Sequence, residues 1–182
     1  MLSVPNVLSF ARLLAAPAAV LLMLEARFDI AFTLFVAAGA TDAIDGWWAK
    51  RFDARTEFGA YLDPLADKAL VVSTYLTLGY LGDIPTWLVV LVVFRDCLIV
   101  GGTMVVWLLL GDFTPSPLVV SKINTAVQIA LVAAVLARLG LGLEIAPFVA
   151  GLVVLAGATT IASGLAYVFA WGRRLAQAGE RR

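Results

Sequence analysis

With 182 residues, 62% of them hydrophobic, only 14% charged and a mean hydropathy of +0.97, the chain is too apolar for a soluble domain. Thirteen basic residues balance thirteen acidic ones, which argues against a nucleic-acid partner. Histidine is absent, which removes the usual general base, the usual zinc ligand and any phosphohistidine route, and the lone Cys97 can form no internal disulfide.

A chain of this length holds about six spans of roughly 20 residues with short connections. Six apolar runs are predicted as helices, at 7–24, 29–48, 62–81, 86–110, 118–137 and 146–170. The expectation is an all-α integral membrane bundle of six transmembrane helices, forming a single domain over 1–182. The first run, ARLLAAPAAVLLMLEA, has signal-peptide features, but it continues into Glu25 and more spans follow, so it reads as a span. EARFD separates the first two runs, AKRFDARTEFG the second and third, and GDIP the third and fourth. GDFTPSP precedes the fifth and RLGLGLE the sixth.

Lys50, Arg51, Arg55, Lys122, Arg173, Arg174, Arg181 and Arg182 fall on one side of this topology, and Arg27 and Arg138 on the other. The positive side is expected to be cytoplasmic, with both termini there. No Ser- and Arg-rich transit leader opens the sequence. The expected location is therefore a bacterial cell (inner) membrane rather than a mitochondrial inner membrane.

One stretch, TDAIDGWWAKRFDARTEFGAYLDPLADK, breaks the apolar pattern. Asp42 and Asp45 are three apart and share a helix face near the cytoplasmic end of the second run. Asp63 and Asp67 are four apart and share a face at the start of the third. The connection is short, so the two helix ends are expected to be neighbours and the four carboxylates to converge. Four anions at a membrane edge repel one another and resist desolvation; they either take up protons or hold cations. Carboxylates without His or Cys suit hard ions such as magnesium, calcium or manganese, and two such ions about 3.5–4 Å apart clamp a phosphoryl displacement. Gly46, Gly59 and the small Ala49 leave a slot beside Asp45 for a ligand. A pair of interfacial aspartates at helical spacing is often only a solvated face, and Trp47 and Trp48 read as interfacial belt aromatics.

The pattern D-x2-D-G-x2-A-[R/K]-x8-G-x3-D-x3-D, supplied by Asp42, Asp45, Gly46, Ala49, Lys50, Gly59, Asp63 and Asp67, resembles the signature of the CDP-alcohol phosphatidyltransferases. Lys50 stands where the family usually has Arg, keeping the charge but not the planar fork. The resemblance implies an enzyme that uses a CDP-linked lipid donor, releases CMP and attaches the phosphatidyl group to an alcohol. It implies two divalent ions, Mg2+ or Mn2+, on Asp42, Asp45 and Asp63. Asp67 is implied as a further ligand and as the base that deprotonates the attacking hydroxyl. Asp45, Gly46, Ala49, Lys50 and Gly59 are implied to hold the CDP donor, and a homodimer is implied as the assembly.

VPNVLSFARLLAAP, FRDCLIVGG, SKINTAVQIALVAAVLA and TTIASGLAYVFAWGRR are similar to one branch, the CMP-forming cardiolipin synthases. Phosphatidylglycerophosphate synthases tend to carry a second Lys where this chain has Asn124. A neutral amide suits the singly charged diester of phosphatidylglycerol better than the dianionic glycerol 3-phosphate. The expected reaction is therefore CDP-diacylglycerol plus phosphatidylglycerol giving cardiolipin and CMP, with phosphatidylglycerophosphate synthesis as the alternative. The phospholipase-D-like route to cardiolipin needs a histidine nucleophile and is excluded by composition.

Arg95 and Asp96 sit inside the fourth run, where charges face a bundle interior or a wet cavity. Arg95, Lys122 and Asn124 are the expected acceptor contacts. A buried ion pair is the competing reading of Arg95, and snorkelling that of Lys122. Gln128, one turn beyond Asn124, is expected to bond across helices. A cation channel or transporter is the hypothesis from another class. It predicts acidic residues along a path through the bilayer rather than gathered at one side.

Overall fold

Each predicted apolar run folds as a helix. The computed structural model describes residues 4–52, 57–110 and 118–179, with side chains described over 10–41, at 66, and over 68–109 and 118–177. Among the described residues there are six α-helices and no strand: α1 (Val4–Leu24), α2 (Phe28–Phe52), α3 (Glu57–Leu81), α4 (Thr86–Leu110), α5 (Val119–Leu141) and α6 (Ala146–Gly179). Three of them are long and apolar enough to cross a membrane, over Thr86–Leu109, Val119–Leu141 and Ala146–Gln177. At 1.5 Å per residue, the 24 residues of the first span about 36 Å, against roughly 30 Å of bilayer hydrocarbon. Phe10–Leu24 and Phe28–Thr41 form shorter apolar helices.

Several helices outrun the apolar stretches that predicted them. α2 continues through Ala49, Lys50 and Arg51 to Phe52, and α3 already begins at Glu57, so much of the expected AKRFDARTEFG break is helical. Hydropathy marks only the apolar part of a helix, whereas Ala, Lys and Arg at the ends are good helix formers that carry the helix on. α6 extends to Gly179 for the same reason.

Internal contacts divide the chain into two units: Met1–Ile84 with Val132–Val149, and Pro85–Leu131 with Ala150–Arg182. In the first unit α1 packs on α2 and α3. Its inward face is Arg12, Ala15, Ala16, Ala19 and Met23, buried at helical spacing. Alanines there let the backbones approach closely, the usual packing device of membrane helices. Facing positions include Ala31, Phe35 and Ala38 on α2, and Ala66, Leu70, Tyr75 and Leu78 on α3. Also within this unit, a Cβ built at Gly140 on α5 would lie 2.6 Å from the Phe28 carbonyl and the Asp29 nitrogen. Only glycine admits that approach to the start of α2.

Helix ends in this unit are closed by backbone bonds. At the end of α3, Gly82 (φ 85) donates to the Gly79 carbonyl and Asp83 to the Leu78 carbonyl, at 3.2 and 2.9 Å. α1 ends in the same way, with Ala26 donating to Met23 and Arg27 to Leu22, but here the left-handed position is held by Ala26 at φ 56. That conformation costs a side-chain-bearing residue about 1–2 kcal/mol, of which glycine returns about 0.5–1 through its freer unfolded chain. Ala26→Gly is therefore expected to stabilise the protein by about 0.5–1 kcal/mol, read as a raised denaturation midpoint in detergent; a lowered midpoint contradicts the argument.

Beyond α3, Arg138 donates to Asp83 at 3.4 Å. Burial raises the Asp83 carboxyl above the usual carboxylate range, while the Arg138 guanidinium pulls it back.

In the second unit α4 and α6 run parallel. The Trp87 ring of α4 covers Gly157 of α6, Arg95 meets Ser163, and the Trp171 ring of α6 covers Gly102 of α4. The three pairs keep nearly one offset along both helices, 68–70 residues. α5 runs antiparallel to α6: Leu118 N donates to Tyr167 Oη at 3.5 Å, and Asn124 meets Thr159 and Thr160. One end of the buried face is apolar, with Leu88, Val92 and Leu131. The other is polar, with Arg95, Asp96, Asn124, Thr160 and Ser163. The outward face of α4 shows Phe94, Val100, Met104 and Leu108, as contact with lipid requires.

Candidate active site

The carboxylate motif falls on two consecutive helices of the first unit. Asp42, Asp45, Gly46, Ala49 and Lys50 lie on α2; Gly59, Asp63 and Asp67 lie on α3. Their side chains lie outside the described residues. The backbone is helical at both pairs, so the three-residue and four-residue spacings place each pair on one helix face. From Phe52 to Glu57 the chain takes five peptide steps, which limits the separation of the two helix ends to about 18 Å.

The donor chemistry of this set fits a hard divalent cation: carboxylate oxygens alone, carried on helical faces. Among the described residues, no group of three or more His, Cys, Asp or Glu is placed to hold a metal.

A second polar constellation occupies the interior of the other unit, and here the side chains are described. Arg95 is 5% exposed. Its Nη1 donates to Asp96 Oδ1 at 2.9 Å, its Nε and Nη2 to Ser163 Oγ at 3.2 and 2.5 Å, and its Nη2 to Ser121 Oγ at 2.6 Å. One guanidinium thus ties α4 to both α5 and α6. These bonds use four of its five N–H donors. The remaining Nη1 proton has no partner among the described residues. The ion pair that competed with an acceptor contact in the sequence is present. Neighbours along a helix do not normally face each other; here the two side chains meet because both are buried.

Asn124 is fully buried one turn along α5 from Ser121. Thr159 and Thr160 donate to its Oδ1, each at 2.9 Å. Lys122 is exposed, because the face carrying Ser121 and Asn124 turns it away from the interior. Of the three expected acceptor contacts, then, Arg95 and Asn124 share one interior and Lys122 lies outside it, with a stem long enough to swing its ammonium. The expected cross-helix bond from Gln128 is not formed: its Nε2 has no partner among the described residues.

Ser121, Thr159, Thr160, Ser163 and Tyr167 were not singled out by sequence. A signal for them exists. Thr160, Ser163 and Tyr167 recur at helical spacing in an otherwise apolar run, which marks one inward stripe.

Comparison with known proteins places these features. Residues 2–170 match the family model for CDP-alcohol phosphatidyltransferases. The chain is 34% identical over 188 residues to a probable cardiolipin synthase (CMP-forming) of Drosophila melanogaster, a match covering 92% of this chain and 57% of that protein. It is 37% identical over 151 residues to the cardiolipin synthase (CMP-forming) of Homo sapiens, covering 74% and 50%. A chloroplastic CDP-diacylglycerol–glycerol-3-phosphate 3-phosphatidyltransferase of Oryza sativa subsp. japonica is 33% identical over 184 residues, covering 91% and 56%. The chain spans about half the length of these relatives.

Proposed function

The chain belongs to the CDP-alcohol phosphatidyltransferase family, and from that premise we propose that it forms cardiolipin and CMP from CDP-diacylglycerol and phosphatidylglycerol. The observation that carries the choice of acceptor is the charge inside the second unit. Arg95 is offset by Asp96, position 124 is a neutral amide, and Lys122 is exposed. A phosphomonoester carries about −1.5 to −2 charges at neutral pH, whereas the phosphodiester of phosphatidylglycerol carries one. A nearly neutral interior compensates a monoanion more readily than a dianion.

In this reading Asp67 takes the proton of the primary hydroxyl on the phosphatidylglycerol head group. The freed oxygen attacks the β-phosphoryl of the donor. As the new P–O bond forms, the bond to the CMP phosphate oxygen breaks, CMP leaves with that electron pair, and the proton stays on Asp67. Asp42, Asp45 and Asp63, with Asp67, would hold two divalent ions, Mg2+ or Mn2+. When bound, such ions neutralise the diphosphate and the leaving CMP. Gly46, Ala49 and Gly59 leave room for the donor beside Asp45, and Lys50 supplies it a positive charge. Arg95, Asn124 and Lys122 receive the acceptor. All six helices are read as spans with both termini cytoplasmic, in a bacterial cell membrane, and a homodimer is the assembly we expect.

The test is an acceptor panel with labelled CDP-diacylglycerol and purified full chain. Cardiolipin and CMP are expected with phosphatidylglycerol, at least about tenfold faster than product from glycerol 3-phosphate, the ratio set by roughly 1.4 kcal/mol of discrimination. Transfer to glycerol 3-phosphate but not phosphatidylglycerol overturns the choice in favour of phosphatidylglycerophosphate synthesis. The similarity to the Oryza sativa protein supports that second reading.

A further inference from the structure

The buried polar strip of the second unit does not end at Asn124. Ser121, Asn124 and Gln128 follow one another at helical spacing on α5. Ser121 bonds to Arg95 and Asn124 to two threonines, so this face looks into the bundle. Gln128 is 4% exposed and Asn124 0%. Asn124 Nδ2 and Gln128 Nε2 have no hydrogen-bond partner among the described residues. A buried amide proton without an acceptor is costly, and such groups normally have a protein, water or ligand partner.

Two features define what that partner is. The first is charge. Arg95 is linked to the strip at Ser121, and the side chains beyond it, at 124 and 128, are neutral amides. An anion beside Gln128 would be desolvated with no cation on this strip, whereas a neutral oxygen carries no such penalty. The second is the chemistry of the Asn124 amide. Thr159 Oγ1 lies 2.9 Å from the Leu155 carbonyl and 3.2 Å from the Ala156 carbonyl as well as 2.9 Å from Asn124 Oδ1. One hydroxyl has one proton to give, and Thr159 can place its own on a backbone carbonyl, but Thr160 has no other acceptor among the described residues. Thr160 therefore fixes Asn124 Oδ1 as its acceptor and leaves Nδ2 to meet the partner as a donor. The Gln128 amide has no hydrogen bond among the described residues and can turn either way. A hydroxyl group accepts from Asn124 Nδ2 and can donate to, or accept from, Gln128. Side chains on a helix lean toward its N-terminus, which brings the longer Gln128 toward Asn124. The antiparallel register carried one turn further sets Gln128 opposite Ala156, a buried residue with no polar side chain to offer.

We propose that Asn124 and Gln128 form a hydroxyl-recognition site for the acceptor, binding the secondary hydroxyl of its glycerol unit, the one that does not react. The assignment of Gln128 rests on the acceptor reading given above and extends it from phosphate to polyol. Gln128 is a specificity residue here; it does not act on the reacting atoms.

The test compares two acceptors that share the reacting primary hydroxyl and differ only in the secondary one: phosphatidylglycerol and phosphatidyl-1,3-propanediol. kcat/KM is measured for each with the wild-type chain, Gln128→Leu and Gln128→Met. The wild type is expected to favour phosphatidylglycerol by about tenfold or more, the scale set by a buried amide left unpaired. Both variants are expected to bring the ratio to within about twofold of one, through loss on phosphatidylglycerol alone. A packing defect slows both acceptors and leaves the ratio unchanged, so a preserved ratio in a folded variant overturns the assignment. Equal use of the two lipids by the wild type also overturns it, whether or not the variants fold, and is the result expected if only water occupies the site. If the panel shows glycerol 3-phosphate to be the acceptor, the reading of the lipid acceptor fails by itself. The same comparison is then made between glycerol 3-phosphate and 3-hydroxypropyl phosphate, where a ratio near one overturns the hydroxyl site.

Discussion

Asp67→Asn is expected to slow CMP release by about 10²- to 10⁴-fold, the range that a positioned general base contributes. Asn keeps the volume of the side chain and its place on α3, so the helix is preserved while the proton acceptor is lost. Asp42→Asn, Asp45→Asn and Asp63→Asn are expected to be at least as severe, about 10³-fold or more, because each removes a charged oxygen ligand from a set composed only of carboxylates. The two roles separate in the pH–rate profile. All four variants should need a higher Mg2+ or Mn2+ concentration for half-maximal rate, and Asp67→Asn alone should also remove the acidic limb of that profile. Asp67→Asn retaining a tenth or more of the wild-type rate shows that Asp67 is not the base. A rate unaffected by a chelator removes the metal reading for all four.

The shared helix face of each aspartate pair was legible because it follows from local spacing. Three and four residues on a helix fix a shared face whatever the rest of the chain does, and α2 and α3 are helical through those positions. The helix count was legible for a related reason: long apolar runs announce themselves, and three of the six helices are long and apolar enough to cross a membrane. Helix ends in apolar sequence were legible too, since α4 runs Thr86–Leu110 as expected and α1 and α3 end at Leu24 and Leu81. Ends in polar sequence were not, because hydropathy is silent on Ala49 to Phe52 and on Glu57 to Gly59, where helix continues. The partners of Arg95 were hidden for a different reason. Ser121 lies 26 residues away and Ser163 lies 68 away, and only the packing of α4, α5 and α6 brings them to one guanidinium. Gln128 was misread in the opposite direction. A buried amide was expected to find a neighbour across the bundle, and its nitrogen has none among the described residues.

Arg95→Met is expected to destabilise the protein by about 3–5 kcal/mol, since it takes the guanidinium away from a buried carboxylate and from two buried or half-buried serine hydroxyls. Arg95→Lys should recover only part of that loss. An ammonium keeps the charge, but its compact head cannot span Asp96, Ser121 and Ser163 as the planar fork does. Pairing Arg95→Met with Asp96→Asn removes both charges, and replacing a buried pair as a pair is often close to neutral. The double variant is therefore expected to regain at least half of the stability lost by Arg95→Met, read as the denaturation midpoint in detergent. Activity is expected to part company with stability at this point. If the remaining Nη1 proton of Arg95 contacts the acceptor phosphate, the double variant folds yet keeps a raised KM for phosphatidylglycerol, while its KM for CDP-diacylglycerol is unchanged. A double variant that regains both stability and the wild-type KM for phosphatidylglycerol leaves Arg95 as the tie between α4, α5 and α6, and moves acceptor recognition to the amide face of α5 and to Lys122.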